Sequence, residues 1–280
     1  MEPCALGYPR RLLPVLTLPH PPCVARAGES EAQVAHGSAL PAELISRVPP
    51  SEKLILNFVL SYIEAEQLPA QLLVNGGYVR DLLLGKKPDD LDLSLCLRAC
   101  AAEVTFDSVM KGIEAFVNRR PDLNVSSVNV TTILSDTSKD KNVDTAKAHL
   151  LVGSPPERIE VDFMPTIGEE QYDEFDRVPL RDVRGTAEQD ALRRDLTIGA
   201  MMLEISRPPS VAPPARGGAA DALAAAAGLR WTLLDYYGGL SDGLGWSLGW
   251  PRMASDGLGW PLGWPLGWPL MASRMASDGI

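Results

Sequence analysis

The chain has little of several things. Among 280 residues there are only four cysteines and three histidines. Cys4, Cys23, Cys96 and Cys100 are too few and too irregularly spaced for a disulfide framework, and none forms a CxxC pair beside a histidine. That excludes a disulfide-stapled secreted scaffold and a cysteine–histidine zinc site, and a reducing compartment is the expectation. No run of about 18 apolar residues occurs, which excludes a membrane-spanning helix and a membrane partner. Basic residues are also short, 26 Lys and Arg against 36 Asp and Glu, for a net charge of −10. A free-standing surface that grips nucleic acid mainly through phosphates would reverse that balance.

The acidity is localised. Residues 1–28 carry +2 and residues 206–280 carry none, which leaves −12 on 29–205. Hydrophobic residues make up 45%, enough to bury a core. Residues 1–48 read as a disordered leader. Within residues 1–28, Arg10, Arg11 and Arg26 against Glu2 alone loosely resemble a transit segment, so cytoplasmic and mitochondrial locations both stay open.

Residues 49–206 show alternating elements. Ser51 and the apolar residues Leu54, Ile55, Phe58, Val59, Tyr62 and Ile63 predict a capped amphipathic helix. Gln71–Asn75 predicts a strand entering Gly76-Gly77, and Tyr78–Leu84 a helix stopped by Gly85. Leu91–Leu97 predicts the partner strand, followed by a helix over 101–119. Val125–Leu134, His149–Val152 and Arg158–Met164 predict further strands of a small mixed sheet, with an exposed hairpin loop over Ser135–Asp144. Glu188–Glu204 reads as helical, weakened by the β-branched pair Thr197 and Ile198.

Beyond Ser206 the composition changes. The Pro-, Ala- and Gly-rich stretch 207–230 predicts a linker, and residues 231–241 (WTLLDYYGGLS) a short coherent segment. Residues 242–280 repeat LGWP and MASDG units too short for a solenoid. They are either a low-complexity tail or the product of a frame change or gene-model error, the second being favoured.

The chemistry concentrates at Asp90 and Asp92. In a strand alternate side chains share a face, so the two carboxylates of DLDLSL converge while Leu91, Leu93 and Leu95 face the other way. Paired hard oxygen ligands suit Mg²⁺. A bare DxD is more often one polar solvent face. Upstream, however, Gly76-Gly77 admits close backbone approach, the following helix N-terminus favours anions, and Arg80 adds a cation. Together they describe a cradle for a metal-bound triphosphate. RIEVDFMP offers Glu160 and Asp162 on one face as a third carboxylate, Asp162 preferred; the alternative is a charged edge-strand face. Arg193, Arg194 and Asp195 fan around a helix, so that one arginine faces the triphosphate and Asp195 restrains the other. A solvated turn of helix is the competing reading.

GGYVRDLLLGKKPDDLDLSL resembles the first motif of class II tRNA nucleotidyltransferases and bacterial-type poly(A) polymerases, and GTAEQDALRRDLTIGAM resembles the approach to, and the body of, their second. The resemblance spans residues 50–205. It implies an α+β fold, a small mixed-sheet head of the DNA polymerase β type with flanking helices. It makes Asp90 and Asp92 the Mg²⁺ ligands, Asp162 the third acidic group, and Gly76, Gly77, Arg80, Arg193 and Arg194 the nucleotide contacts. The implied reaction is attack of an RNA 3′-hydroxyl, with the tRNA 3′ end as the favoured substrate, on the α-phosphate of CTP or ATP. Departures are Gly199 in place of an asparagine, Ile167 near an expected arginine, and no match to the EDxxRxLR neck motif that selects the base.

Overall fold

The computed structural model describes residues 36–133, 144–168, 184–211, 213 and 218–242. Its frame is one seven-stranded mixed sheet in the order β3-β4-β5-β2-β1-β6-β7. In chain order the strands are β1 (Gln71–Asn75), β2 (Leu91–Cys96), β3 (Val125–Ile133), β4 (Thr145–Val152), β5 (Glu157–Pro165), β6 (Met202–Ser206) and β7 (Arg230–Leu234). All neighbours are antiparallel except β2 and β5, which run parallel. The helices are α1 (Ala42–Arg47), α2 (Pro50–Ala65), α3 (Gly76–Leu83), α4 (Phe106–Arg119), α5 (Ala187–Leu192) and α6 (Ala219–Ala227).

The back face of the sheet carries Leu72 and Val74 of β1, Leu93 and Leu95 of β2, Val161 and Phe163 of β5, and Ala146 and Ala148 of β4, all buried in the main core. Helix α2 lies in that core, and every residue from Leu54 to Ile63 is buried. It is covered on several sides, by the sheet and by α4 and α6. Proline suits its first turn, because the amide that Pro50 lacks has no intrahelical acceptor there. The helix therefore starts at Pro50 and Ser51 is not its cap. Phe116 of α4 meets Phe58 and Tyr62 with ring centroids 5.5 Å apart in each case. Gly112 permits this approach, since a Cβ there would lie 2.1 Å from the Tyr62 hydroxyl.

Several segments depart from their sequence expectation. The helix expected over Glu188–Glu204 ends at Leu192, and Met202–Ser206 is instead β6, paired on both sides. Strand pairing there satisfies the backbone groups of β1 and β7, which a helix would leave without partners. The Ala-rich part of the expected linker forms α6, with Ala222, Ala225 and Ala226 buried. Small side chains let α6 pack on α2, where Asn57 Nδ2 donates to the Ala222 carbonyl at 3.5 Å. Composition alone hid this, because alanine supplies little hydrophobic signal yet is the best helix former. The segment after it supplies β7, and Trp231 and Leu233 join the core. The end of the expected leader also belongs to the fold: Leu40 N donates to Trp231 O at 2.8 Å and Leu233 N to Ser38 O at 2.9 Å. Most of the expected hairpin loop lies outside the described residues, but β3 and β4 do pair antiparallel, from Val125↔Val152 to Ile133↔Thr145.

Arg207, just past β6, is almost wholly buried and reaches α2. Its Nε donates to both Glu64 carboxylate oxygens at 3.0 and 3.1 Å, and its Nη2 donates to Asn57 Oδ1 at 2.9 Å. The buried polar residues of α2 are thus the acceptors for one arginine.

If residues 207–242 are part of the core, Trp231→Ala should lower the unfolding free energy by about 3–5 kcal/mol, as for other large buried aromatics. Denaturant midpoints measure this. A loss below about 1 kcal/mol would return the segment to the status of a linker.

Candidate active site

The site forms on the opposite, front face of the sheet. Part of that face is covered by a second, smaller core, in which Leu73, Cys96, Met202 and Leu234 pack under Ala187 and Ala191 of α5 and Ala200. Where this cover stops, the polar front-face residues begin.

Because β2 and β5 are parallel with Asp92 opposite Asp162, the two carboxylates stand side by side on one face. Lys147 of β4 is in turn opposite Asp162, and His149 opposite Glu160. This register separates the two candidates for the third carboxylate. Asp162 stands next to Asp92, whereas Glu160 is held by Lys147 and lies 3.5 Å from His149 Nδ1. Asp90 is exposed and sits just before β2 rather than in it. Its charge still bears on Asp92.

Asp92 is half-buried, and its carboxyl titrates above the ordinary range. Burial is the first cause, then the negative charges of Asp162 and Asp90; Arg194 and Lys147 act in the opposite sense. The expected residues Asp90, Asp92, Asp162 and Arg194 therefore come together electrostatically.

Gly76 opens α3 with φ +52°, in the left-handed region that glycine adopts without strain. A Cβ there would lie 3.4 Å from Arg194 Nη1 and 3.7 Å from Gly199 O. Asn75, at the N-cap position, does not cap α3; its side-chain amide donates to the Ser94 hydroxyl of β2 instead. The N-terminus of α3 thus has no side-chain cap, and Gly76 N donates instead to Met201 O at 3.3 Å, beside the carboxylate end of β2. Tyr78 ties the same turn to α2, donating to Glu52 Oε2 at 2.5 Å. Burial raises the pKa of both groups.

The arginines are arranged differently from the sequence expectation. Helix α5 stops at Leu192, with Arg193 as its C-cap, and both arginines turn back onto Asp190. Arg193 Nε donates to Asp190 Oδ1 at 2.9 Å and Arg194 Nη2 to Oδ2 at 3.1 Å. Ile167 N also donates to Asp190 Oδ1, at 3.2 Å. The restraining carboxylate is therefore Asp190 and not Asp195. Its spacing of three and four residues from the arginines was a readable signal. Thr186 and Gln189 start the helix with a reciprocal capping box. Arg80 is also partnered: its Nε and Nη2 donate to the two Asp81 oxygens, each at 2.9 Å. It lines a small crevice with Leu83, Ile198, Met201 and Leu240, while Gly77 lies against its Nη2 at 3.7 Å from a built Cβ.

The donor set fits Mg²⁺ by chemistry: carboxylate oxygens on a rigid sheet, one of them destabilised as an anion until a cation arrives. Among the described residues no three His, Cys, Asp or Glu side chains converge at metal-ligand distance. Mg²⁺ sites of this class use one or two carboxylates and complete their shell with water and substrate phosphate oxygens. A triphosphate on the α3 amides would supply the latter.

A model of the poly(A) polymerase head domain matches residues 72–242, more than half of the chain. The chain belongs to the poly(A) polymerase head domain family. Its β1–α3–β2 unit and the strands after it form the family head, an α+β nucleotidyltransferase fold. The chain is 31% identical over 142 residues to the mitochondrial CCA tRNA nucleotidyltransferase of Candida glabrata, covering 50% of this chain and 24% of that protein. It is 30% identical over 140 residues to the mitochondrial CCA tRNA nucleotidyltransferase of Saccharomyces cerevisiae, covering 50% and 23%. The matched region spans about a quarter of the length of these curated relatives. A Thermotoga maritima CCA-adding enzyme complexed with tRNA shares 20% identity over 75% of this chain and 35% of its own, with a TM-score of 0.42.

The raised pKa of Asp92 has a stability consequence. Its ionised form is disfavoured in the fold, so the folded state binds the proton more tightly than the unfolded chain does, and this cost appears as pH rises through that window. Asp92→Asn should therefore stabilise the metal-free protein at pH 7. The gain should shrink as pH falls, and vanish below the ordinary carboxylate range near about 4. Unfolding midpoints from pH 3.5 to 7 test this; a gain independent of pH would refute the assignment of the cause.

Proposed function

We propose that the chain is the catalytic head of a template-independent RNA nucleotidyltransferase that adds CMP and AMP to the 3′ end of tRNA. The observation that carries this reading is the Asp92–Asp162 register, with Asp90 ahead of it and Arg194 over Gly76. In this reading Asp90 and Asp92 hold Mg²⁺, with Asp162 as the third acidic group. When bound, Mg²⁺ lowers the pKa of the attacking hydroxyl and neutralises charge on the departing pyrophosphate. The Gly77 amide takes a phosphate oxygen at the α3 N-terminus, where the helix dipole favours anions, while Gly76 N is held by Met201 O and its missing Cβ leaves room for close approach. Arg194, held by Asp190, adds a cation at the same place, and Arg80 and Arg193 extend the nucleotide contact. The RNA 3′-oxygen forms a bond to the α-phosphorus as the bond to the pyrophosphate oxygen breaks.

The names of the two fungal relatives favour tRNA CCA addition and a mitochondrial setting, although a cytoplasmic one fits the same chemistry. No helix among the described residues is long and apolar enough to cross a membrane. The family model's name keeps poly(A) synthesis as the second reading, and an inactive nucleotide-binding head as the third.

Incubation with tRNA lacking its CCA end, and with CTP and ATP singly and together, separates these readings. Extension of this tRNA by CTP and ATP is expected, reduced at least about a thousandfold in Asp90→Ala and Asp92→Ala, a loss of about 4 kcal/mol of transition-state stabilisation. Extension of arbitrary RNA by ATP alone would replace the reading with poly(A) synthesis. Binding of CTP or ATP without any extension would reduce it to a nucleotide-binding head.

A further inference from the structure

Lys147 is the residue on this face that a metal site would not be expected to have. It stands on β4 directly opposite Asp162, one strand further from Asp92. Its Nζ is 3.6 Å from Asp162 Oδ1 and in closer contact with Glu160 Oε1. A fixed positive charge at this distance opposes a divalent cation at Asp162. Without it, however, three carboxylates would repel one another on a half-buried face.

Glu160 resolves the conflict. It lies two residues before Asp162 on the same strand and the same face, so one lysine can reach both carboxylates from one backbone position. About half of each of these three side chains is exposed, so the ammonium can move between them without repacking the core. The other titratable groups acting on this row are His149, 3.5 Å from Glu160, Arg158, whose charge acts on Glu160, and Asp92, which is influenced by Asp90 and Arg194 as well as by Lys147.

We propose that Lys147 is a built-in counter-ion of the site: it shares Asp162 and Glu160 in the metal-free head, and withdraws wholly to Glu160 when a divalent cation takes Asp162. Lys147 is then a positioning residue. It keeps the empty carboxylate row in register and sets how tightly the cation is held. Glu160 is its parking acceptor and not a metal ligand. The proposal rests on the proposed function, in which Asp90 and Asp92 hold the metal with Asp162 as the third acidic group, and adds that the cation also engages Asp162.

Calorimetric titration of the full chain with Mn²⁺, without nucleotide, tests it. Lys147→Met should bind Mn²⁺ about three- to tenfold more tightly, because a competing cation is gone, and should melt at a lower temperature than wild type when metal-free. Lys147→Arg, which keeps the charge, should stay near wild type in both respects. Glu160→Gln should bind Mn²⁺ more weakly, since the lysine has then only Asp162 to pair with. Unchanged or weaker Mn²⁺ binding in Lys147→Met would overturn the proposal, as would tighter binding in Glu160→Gln. Asp92→Asn distinguishes the two levels of failure. If it binds Mn²⁺ like wild type, the site assignment falls and takes the proposal with it. If it loses binding while Lys147→Met shows no gain, the counter-ion role alone is wrong.

Discussion

Two like charges on neighbouring strands govern this structure. The parallel register of β2 and β5 sets Asp92 beside Asp162, on a face where Asp92 is half-buried. The register is held from behind, because Leu91, Leu93, Val161 and Phe163 fill the core on the opposite face, and a one-residue slip would exchange carboxylates for core residues. The hydrophobic effect thus fixes a repulsive arrangement that electrostatics alone would not assemble. The surrounding groups answer it: Arg194 and Lys147 lower the cost of the Asp92 charge, and the uncapped N-terminus of α3 lies nearby.

Those compensating groups are themselves held at one remove. Arg194 is placed by Asp190, which is almost fully buried and accepts three hydrogen bonds. A buried carboxylate with that many donors is a fixed point, so the arginine is oriented before any ligand arrives. Lys147 is placed by strand register against Glu160 and Asp162. The α2 layer behind the sheet supplies rigidity, with Arg207 joining the end of β6 to three residues of that helix.

What could be read from the sequence was what is local. Strand β1, the Gly76-Gly77 turn, α3 and β2 follow one another within 26 residues, and each is signalled by its own turn residue or alternation. The sequence preferred Asp162 to Glu160, but the physical reason lies in which residue of β5 stands opposite Asp92, a long-range property that spacing does not carry. Lys147 was hidden for the same reason. The C-terminal errors have another origin. A β-strand with two ladders outweighed the helical composition after Leu192, and alanine-rich α6 gave no apolar pattern although its small side chains are what let it pack on α2. The helical spacing of Asp190 to Arg193 and Arg194 is a local signal for its role, whereas Asp195, directly after them, lacks that spacing.

The proposed function requires the front-face carboxylates to act together with a divalent cation in holding a triphosphate. Titration of ATP into the protein with and without Mg²⁺, for wild type and Asp92→Asn, measures this most directly. Binding that requires Mg²⁺ and is lost in Asp92→Asn is the predicted result. Equal affinity with and without Mg²⁺, or an Asp92→Asn variant that binds like wild type, would contradict it.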